Sequence, residues 1–247
     1  MHTPEEVSRV VRLAAAGLNQ SVIARETRIP RTTVRIWLAG RTPDFGKSSA
    51  RCPACRGDVE RLSHKEYLYL LGLYLGDGTL SEGKRGVYKL RITCANAHPA
   101  LMRECEAAIA SVLPNKVGRV NKVGCTEVYS TSKHWPCMFP QHGPGMKHTR
   151  KIELAQWQQA LVDKDPRPLI RGLIHSDGCR VLNRAAGTKY PPYPRYHFTN
   201  TSADIRRIFT DACDAIGVQW RHNNATNISI ATRRSVAILD SFIGPKQ

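Results

Sequence analysis

Two short stretches one hundred residues apart constrain this chain more than any other feature: "LLGLYLGDG" at 70–78 and "IRGLIHSDG" at 170–178. Each is an apolar run broken by glycine that closes on Asp-Gly, at Asp77 and Asp177. The same spacing recurs downstream, where "EVYSTSK" ending at Lys133 answers to "NISIATR" ending at Arg233. Between these anchors "LRITCANAHPALMRECEAAIASV" matches "YHFTNTSADIRRIFTDACDAIGV", displaced by a few extra residues in the second copy's "GTKYPPYPRYHF" loop. Each copy reads as helix, Asp-Gly, strand, strand, amphipathic helix, strand pair, helix. A unit that occurs twice predicts two pseudosymmetric halves packed on one another.

The opening helix of each copy is the expected seam. Gly72 and Gly76 lie four apart on one face, and Gly172 and Ser176 take the equivalent places. Small residues at that spacing let two helix backbones approach closely, while the apolar flanks bury the rest. Each helix then delivers one aspartate, released by the following glycine, so two carboxylates arrive side by side. Like charges so close are unfavourable unless a cation lies between them. Carboxylates with backbone oxygens, here those of Gly76 and Ser176, suit Mg²⁺.

The charge balance points to the partner. Of 247 residues 41% are hydrophobic, enough for an ordinary core, but 37 Lys and Arg face only 20 Asp and Glu, a net charge of +17 spread along the chain. That excess implies a polyanion, and double-stranded DNA first among them. No charged-then-apolar leader opens the sequence, and the longest apolar run is about half a membrane span, so a cytoplasmic, nucleoid-associated protein without a membrane partner is expected. Eight isolated cysteines read as reduced, buried thiols.

Residues 1–40 carry helix signals of their own. "TPEEVSRVVRLAAAG" has a Thr cap, Pro at the first helical position, early glutamates and a glycine stop; "NQSVIARETR" and "RTTVRIWLAG" follow with a tight break between them. Three short helices so spaced predict a helix-turn-helix whose third member packs Val34, Trp37 and Leu38 inward. It leaves Arg31, Thr32, Thr33 and Arg35 for phosphates and base edges. Residues 41–60 read as a linker containing "CPAC", where Cys52 and Cys55 are half of a possible zinc site. Completion by His64, or by His134 with Cys137 of "HWPC", depends on the fold; otherwise the pair is a tight turn. The halves are assigned to 61–163 and 164–247, as a monomer with an internal pseudo-twofold axis.

With these residues in place, "LLGLYLGDG" and "IRGLIHSDG" resemble the LAGLIDADG motif of homing endonucleases, over roughly residues 60 to 247, and "LNQSVIARETRIPRTTVRIWL" resembles the helix-turn-helix of resolvases. The resemblance implies an α/β (α+β) fold of two αββαββα units whose four-stranded sheets form a saddle over DNA, preceded by the small helical domain. It implies that Asp77 and Asp177 bind catalytic metals and that both DNA strands are cut across the minor groove. The sixth motif position, acidic in the name-giving motif, is Leu75 and His175 here. Lys133 and Arg233, at matching strand ends, are the candidate phosphate-facing cations. The segment 134–154, with His134, His142 and His148, has no evident counterpart in the second copy. The leading function is a metal-dependent, intron-type or free-standing DNA endonuclease; an intein form is not expected, since no splicing Cys or Ser opens the chain. The alternatives are a non-cleaving transcriptional regulator on the same scaffold, like the sporulation regulators of this fold, and an RNA maturase.

Overall fold

The structure is a computed structural model that describes residues 2–43, 52–184 and 191–246. The chain divides into two compact units, Met1–Cys52 and Pro53–Gln247. In the first, α1 (Pro4–Ala15) starts at a capping box in which Glu6 N–H donates to Thr3 Oγ1 and Thr3 N–H donates to Glu6. Asn19 caps α2 (Gln20–Thr27) by accepting from Ser21 and Val22, and Arg28 in left-handed backbone turns the chain within three residues into α3 (Arg31–Leu38). Val7, Val10, Ile23, Ile29, Val34 and Trp37 form the core, with Leu38 packed at its edge. Arg31, Thr32 and Arg35 are exposed and Thr33 half-buried, on the side away from that core.

Of the stretch expected as a linker, 41–60, residues 44–51 lie outside the described part, while α4 (Pro53–Arg56) and a 3₁₀ turn at Val59–Arg61 belong to the second unit. Pro53 at the first helical position explains the early start, since its fixed φ suits a helix opening.

The second unit contains the repeat. The first half runs α5 (His64–Asp77), β1 (Gly78–Glu82), β2 (Tyr88–Ala95), α6 (Pro99–Val112), β3 (Val117–Asn121), β4 (Cys125–Ser132) and the short α7 (Trp135–Met138). After α8 (Gln156–Lys164), the second half runs α9 (Arg167–Asp177), β5 (Gly178–Asn183), β6 (Tyr193–Thr199), α10 (Ala203–Ala215), β7 (Arg221–His222), β8 (Asn227–Ile230) and α11 (Arg233–Asp240). Each half holds a four-stranded antiparallel sheet, ordered β1-β2-β4-β3 and β5-β6-β8-β7. The strands alternate. Leu90, Ile92 and Cys94 are buried, while Lys89, Arg91 and Thr93 take the other face; Tyr196 and Phe198 are buried while Arg195 and His197 are not.

α8 begins at Gln156, where Gln158 accepts from Ala155 N–H at 2.8 Å to open the helix, while Ile152 N–H donates to Asp204 at 2.9 Å. One boundary differs from the sequence reading. Arg233 is the first residue of α11 rather than a strand end, since Thr232 caps that helix by accepting from Ser235 N–H.

The two repeat helices, α5 and α9, pack backbone on backbone. A β-carbon at Gly72 would lie 2.6 Å from Leu169 O, and one at Gly172 would lie 2.2 Å from Tyr69 O. One at Gly76 would meet the Ser176 side chain, its Oγ at 2.2 Å, and Ser176 Oγ is itself satisfied by Gly172 O and Leu173 O at 3.0 Å each. Around this contact Leu70, Leu71, Leu73, Leu169, Ile170 and Leu173 are fully buried. The seam therefore tolerates one hydroxymethyl group, on one side only.

Gly72→Ala and Gly172→Ala should each destabilise by ~1–3 kcal/mol or more, because the obstacle is backbone that cannot repack. Gly76→Ala should be comparably harmful alone and largely rescued by Ser176→Gly, whereas Ser176→Gly should not rescue Gly72→Ala. Denaturant melts of the two double-mutant cycles check this.

Candidate active site at the helix seam

Close approach of the helices fixes where their last residues go. Asp77 ends α5 and Asp177 ends α9, and both line one cavity of about 600 Å³. The glycine after each aspartate is there for space rather than for an unusual φ. A β-carbon at Gly78 would lie 2.4 Å from Tyr74 Cα and one at Gly178 2.7 Å from Ile174 Cα, so only glycine lets the chain fold back from helix to strand against the helix's own last turn. The Asp177 carboxylate reaches toward the partner helix, with Oδ2 only 3.1 Å from where a β-carbon on Gly76 would stand.

A carboxylate at a helix C-terminus faces the negative end of the macrodipole, so the site needs cations. Two lysines supply them in matching fashion. Lys147 Nζ donates to the carbonyls of Tyr74, Leu75 (3.1 Å) and Gly76 (2.9 Å) at the end of α5, and Lys246 Nζ donates to those of Ser176 (3.0 Å) and Gly178 (3.2 Å) at the end of α9. Burial pulls the Lys147 ammonium down to about 8 against the opposing pull of Asp177 and Asp77, and burial also lowers Lys246. Even with these charges nearby the carboxyls stay strained. Desolvation, and then the Asp177 charge, push Asp77 up to about 6, although its outer edge is open to the cavity. Desolvation raises Asp177 as well, opposed by a hydrogen bond donated by Asn200 Nδ2 at 2.5 Å. Among the described residues no side chain donates to Asp77, so the two acids are not equivalent.

Other expected residues fall in different places. Lys133 and Arg233 are exposed and neither lines this cavity; Arg150 lines it, as does Lys147, and Lys246 acts on both acids from the end of α9, so that the cations bonded to the two helix ends are Lys147 and Lys246. Sequence reasoning misses both, yet a signal exists: "GPGMK" at 143–147 and "GPK" at 244–246 put Gly-Pro shortly before each lysine, so the segment after α7 does have a partial counterpart at the chain's end. His142 and His148 line the cavity, and burial followed by the Arg150 charge lowers His142 and keeps its imidazole neutral. His134 lies elsewhere, beside Cys55 and Cys137. At the varied motif position, Leu75 is buried and His175 sits inside the seam with Nδ1 3.0 Å from Tyr69 Oη, its pKa pulled down to about 4 by burial and then by Arg171. Neither offers an acid to the cavity.

The donor set fits a hard divalent cation. Asp77, Asp177 and the carbonyls of Gly76 and Ser176 offer only oxygens, and a carbonyl already bonded to a lysine keeps a second lone pair. Desolvation, followed by the Asp177 charge, is what raises Asp77, and a cation bound beside it would oppose that rise.

No protein-family model matches the chain, and no curated protein does. Solved structures do. Mesophilic variants of the homing endonuclease I-DmoI are similar at 16% identity over 74% of this chain and 92% of theirs, with a TM-score of 0.51. I-DmoI in complex with DNA and Mn is similar at 15% identity over 74% and 99%, with a TM-score of 0.50, and a substituted I-DmoI with its target DNA and Mg gives 15%, 73% and 96% at the same TM-score. At such identities the likeness is one of fold, and the chain has the fold of the LAGLIDADG homing endonucleases its motifs resemble. Among the described residues no helix is long and apolar enough to cross a membrane.

Because Asp77 binds its proton more tightly folded than unfolded, its contribution to stability is intact in acid and lost as pH rises from about 4 through about 6. In EDTA, Asp77→Asn should therefore melt a few degrees above the parent near pH 7.5 and no higher than it near pH 4. Thermal melts at the two pH values check the sign.

Proposed function

We propose that this protein is a divalent-metal-dependent DNA endonuclease that makes a double-strand break, with residues 1–40 adding target contacts as a helix-turn-helix. The observation that carries this reading is the convergence of Asp77 and Asp177 on one cavity at the seam, with the half-buried Lys147 and Lys246 nearby. Mg²⁺ or a related cation bound by these oxygens supplies Lewis acidity toward the scissile phosphates. The chain's own groups do the rest. The seam holds the two acids at a fixed separation, and the Lys147 and Lys246 ammoniums lie where negative charge develops on the phosphates. With its pKa near 8, Lys147 is also able to hold or release a proton close to neutral pH. Neutral His142 offers a proton acceptor on the cavity wall.

The sheets supply a basic surface. On the faces turned away from the helices stand Lys89 and Arg91 in the first half and Arg195 and Arg221 in the second, with Lys89 over the Tyr129 ring at 3.8 Å. Two of the similar I-DmoI structures are DNA complexes, one with Mn and one in the presence of Mg, which supports DNA as partner and a divalent cation as cofactor here. One observation favours the non-cleaving regulator instead: two ammoniums already stand beside two carboxylates, a balance that needs no metal.

Asp77→Asn and Asp177→Asn should each abolish double-strand cleavage in Mg²⁺ while leaving affinity for the same DNA nearly unchanged. Nicking, linearisation and binding assays on one target separate the readings, because a parent protein that binds but never cuts in any divalent metal is the regulator. Undiminished cleavage by either variant would sink the shared-metal mechanism. Replacing Lys89, Arg91, Arg195 and Arg221 with alanine should weaken binding uniformly across sequences and reduce the slope of log K against log salt by about 0.9 per lost phosphate contact. Fluorescence anisotropy across a salt series reads that slope.

A further inference from the structure

A second cluster of metal-ligating side chains lies outside the acidic cavity, and its chemistry differs. Cys52 and Cys55 flank the start of α4, and His134 and Cys137 flank the start of α7, so that "CPAC" and "HWPC" each offer two donors three residues apart with a proline between them. The four donor atoms all lie within 4.8 Å of one another. Cys55 Sγ is 3.2 Å from Cys137 Sγ and 3.3 Å from His134 Nδ1, and Cys137 Sγ is 4.0 Å from the same nitrogen. Ligands about 2.3 Å (sulfur) and about 2.0 Å (nitrogen) from a tetrahedral centre stand roughly 3.5–3.8 Å apart, and the observed edges bracket that span. His64, the other sequence candidate, is not in the group.

We propose that Cys52, Cys55, His134 and Cys137 bind one structural Zn²⁺. Three thiolates and an imidazole are a soft set that selects zinc over the hard cation suited to Asp77 and Asp177. Four protein ligands fill a tetrahedron and leave no open position, so this zinc has no role in bond cleavage. What it does is mechanical. α4 has four residues, too few to hold a helix unaided, and its Cys52 end is buried. The metal fastens α4 to α7, which is anchored on its other side by Trp135, Met138 and the adjoining Phe139, all fully buried, with the Phe139 ring stacked 4.3 Å from Tyr74 of α5. From α7 the chain runs directly into the segment that carries His142 and Lys147 to the cavity. The zinc thus fixes the root of the arm that caps α5, a consequence that rests on the active-site reading, whereas the metal site itself does not.

The test is metal analysis of the full chain purified in reducing buffer without added metal. About one equivalent of zinc should survive gel filtration, and Cys55→Ser and Cys137→Ser should each lose most of it under mild chelation while His134→Cys keeps it. Substitution with Co²⁺ should give intense thiolate-to-metal absorption and the strong visible bands of tetrahedral cobalt, a readout on the unaltered protein that stands even where a variant fails to fold. Zinc-free protein with reduced thiols, a Cys55–Cys137 disulfide formed in place of metal binding, weak octahedral cobalt bands, or zinc retained in full by both serine variants would each overturn the proposal. DNA cleavage is read separately, so loss of zinc binding and loss of the nuclease reading remain distinguishable.

Discussion

Everything in the larger unit depends on the contact between Gly72 and Gly172. Side chains elsewhere in the seam could exchange leucine for isoleucine with some repacking, but here the obstacle to a β-carbon is a carbonyl oxygen 2.2–2.6 Å away. Backbone contact brings the two helix ends together as a pair, and that alone puts Asp77 and Asp177 in one cavity instead of on separate surfaces. The sheets follow, because each starts at the glycine after the aspartate, so the position of the seam sets the position of β1 and β5. Architecture and site geometry thus share one steric origin.

That geometry creates an electrostatic problem which the chain meets in part. Two carboxylates are placed at the negative ends of two helix dipoles, in surroundings that raise the pKa of both. Lys147 and Lys246 answer by occupying helix-end carbonyls that have no partner within their helices, so each ammonium serves as a helix cap and a counter-charge at once. Their own lowered pKa values record the cost of that burial. A site with raised acids, lysines lowered by burial and open volume can gain further from a divalent ion and an anionic backbone, the two species the proposed reaction brings together.

The repeat, the seam glycines, both aspartates and the succession of strands and helices are legible from sequence because each leaves a local mark: a fixed spacing, a small residue at i and i+4, an Asp-Gly break, alternation of apolar residues. The three N-terminal helices are legible for the same reason, through caps and glycine stops. What is not legible depends on distance along the chain. Lys147 reaches α5 across some seventy residues and Lys246 reaches α9 across a similar gap, and nothing at either lysine except a nearby Gly-Pro marks it out. Lys133 and Arg233 look symmetric and basic, but Lys133 follows the end of β4 while Arg233 opens α11, and both are exposed away from the cavity lining. The "CPAC" pair is half of an answer, and only the fold brings "HWPC" beside it.

The pseudosymmetry is also incomplete in ways that bear on chemistry. Asn200 donates to Asp177, while the position of equivalent register in the first half is Cys94, a buried thiol. Lys147 binds three carbonyls and Lys246 two. Had two identical chains formed this saddle, each half would have to serve both roles. Joining them in one chain keeps the steric seam, which demands near-identity at Gly72 and Gly172, while releasing the surroundings of each acid to diverge. A shared backbone contact with unlike neighbours leaves Asp177 bonded by Asn200 and Asp77 with no side-chain donor among the described residues.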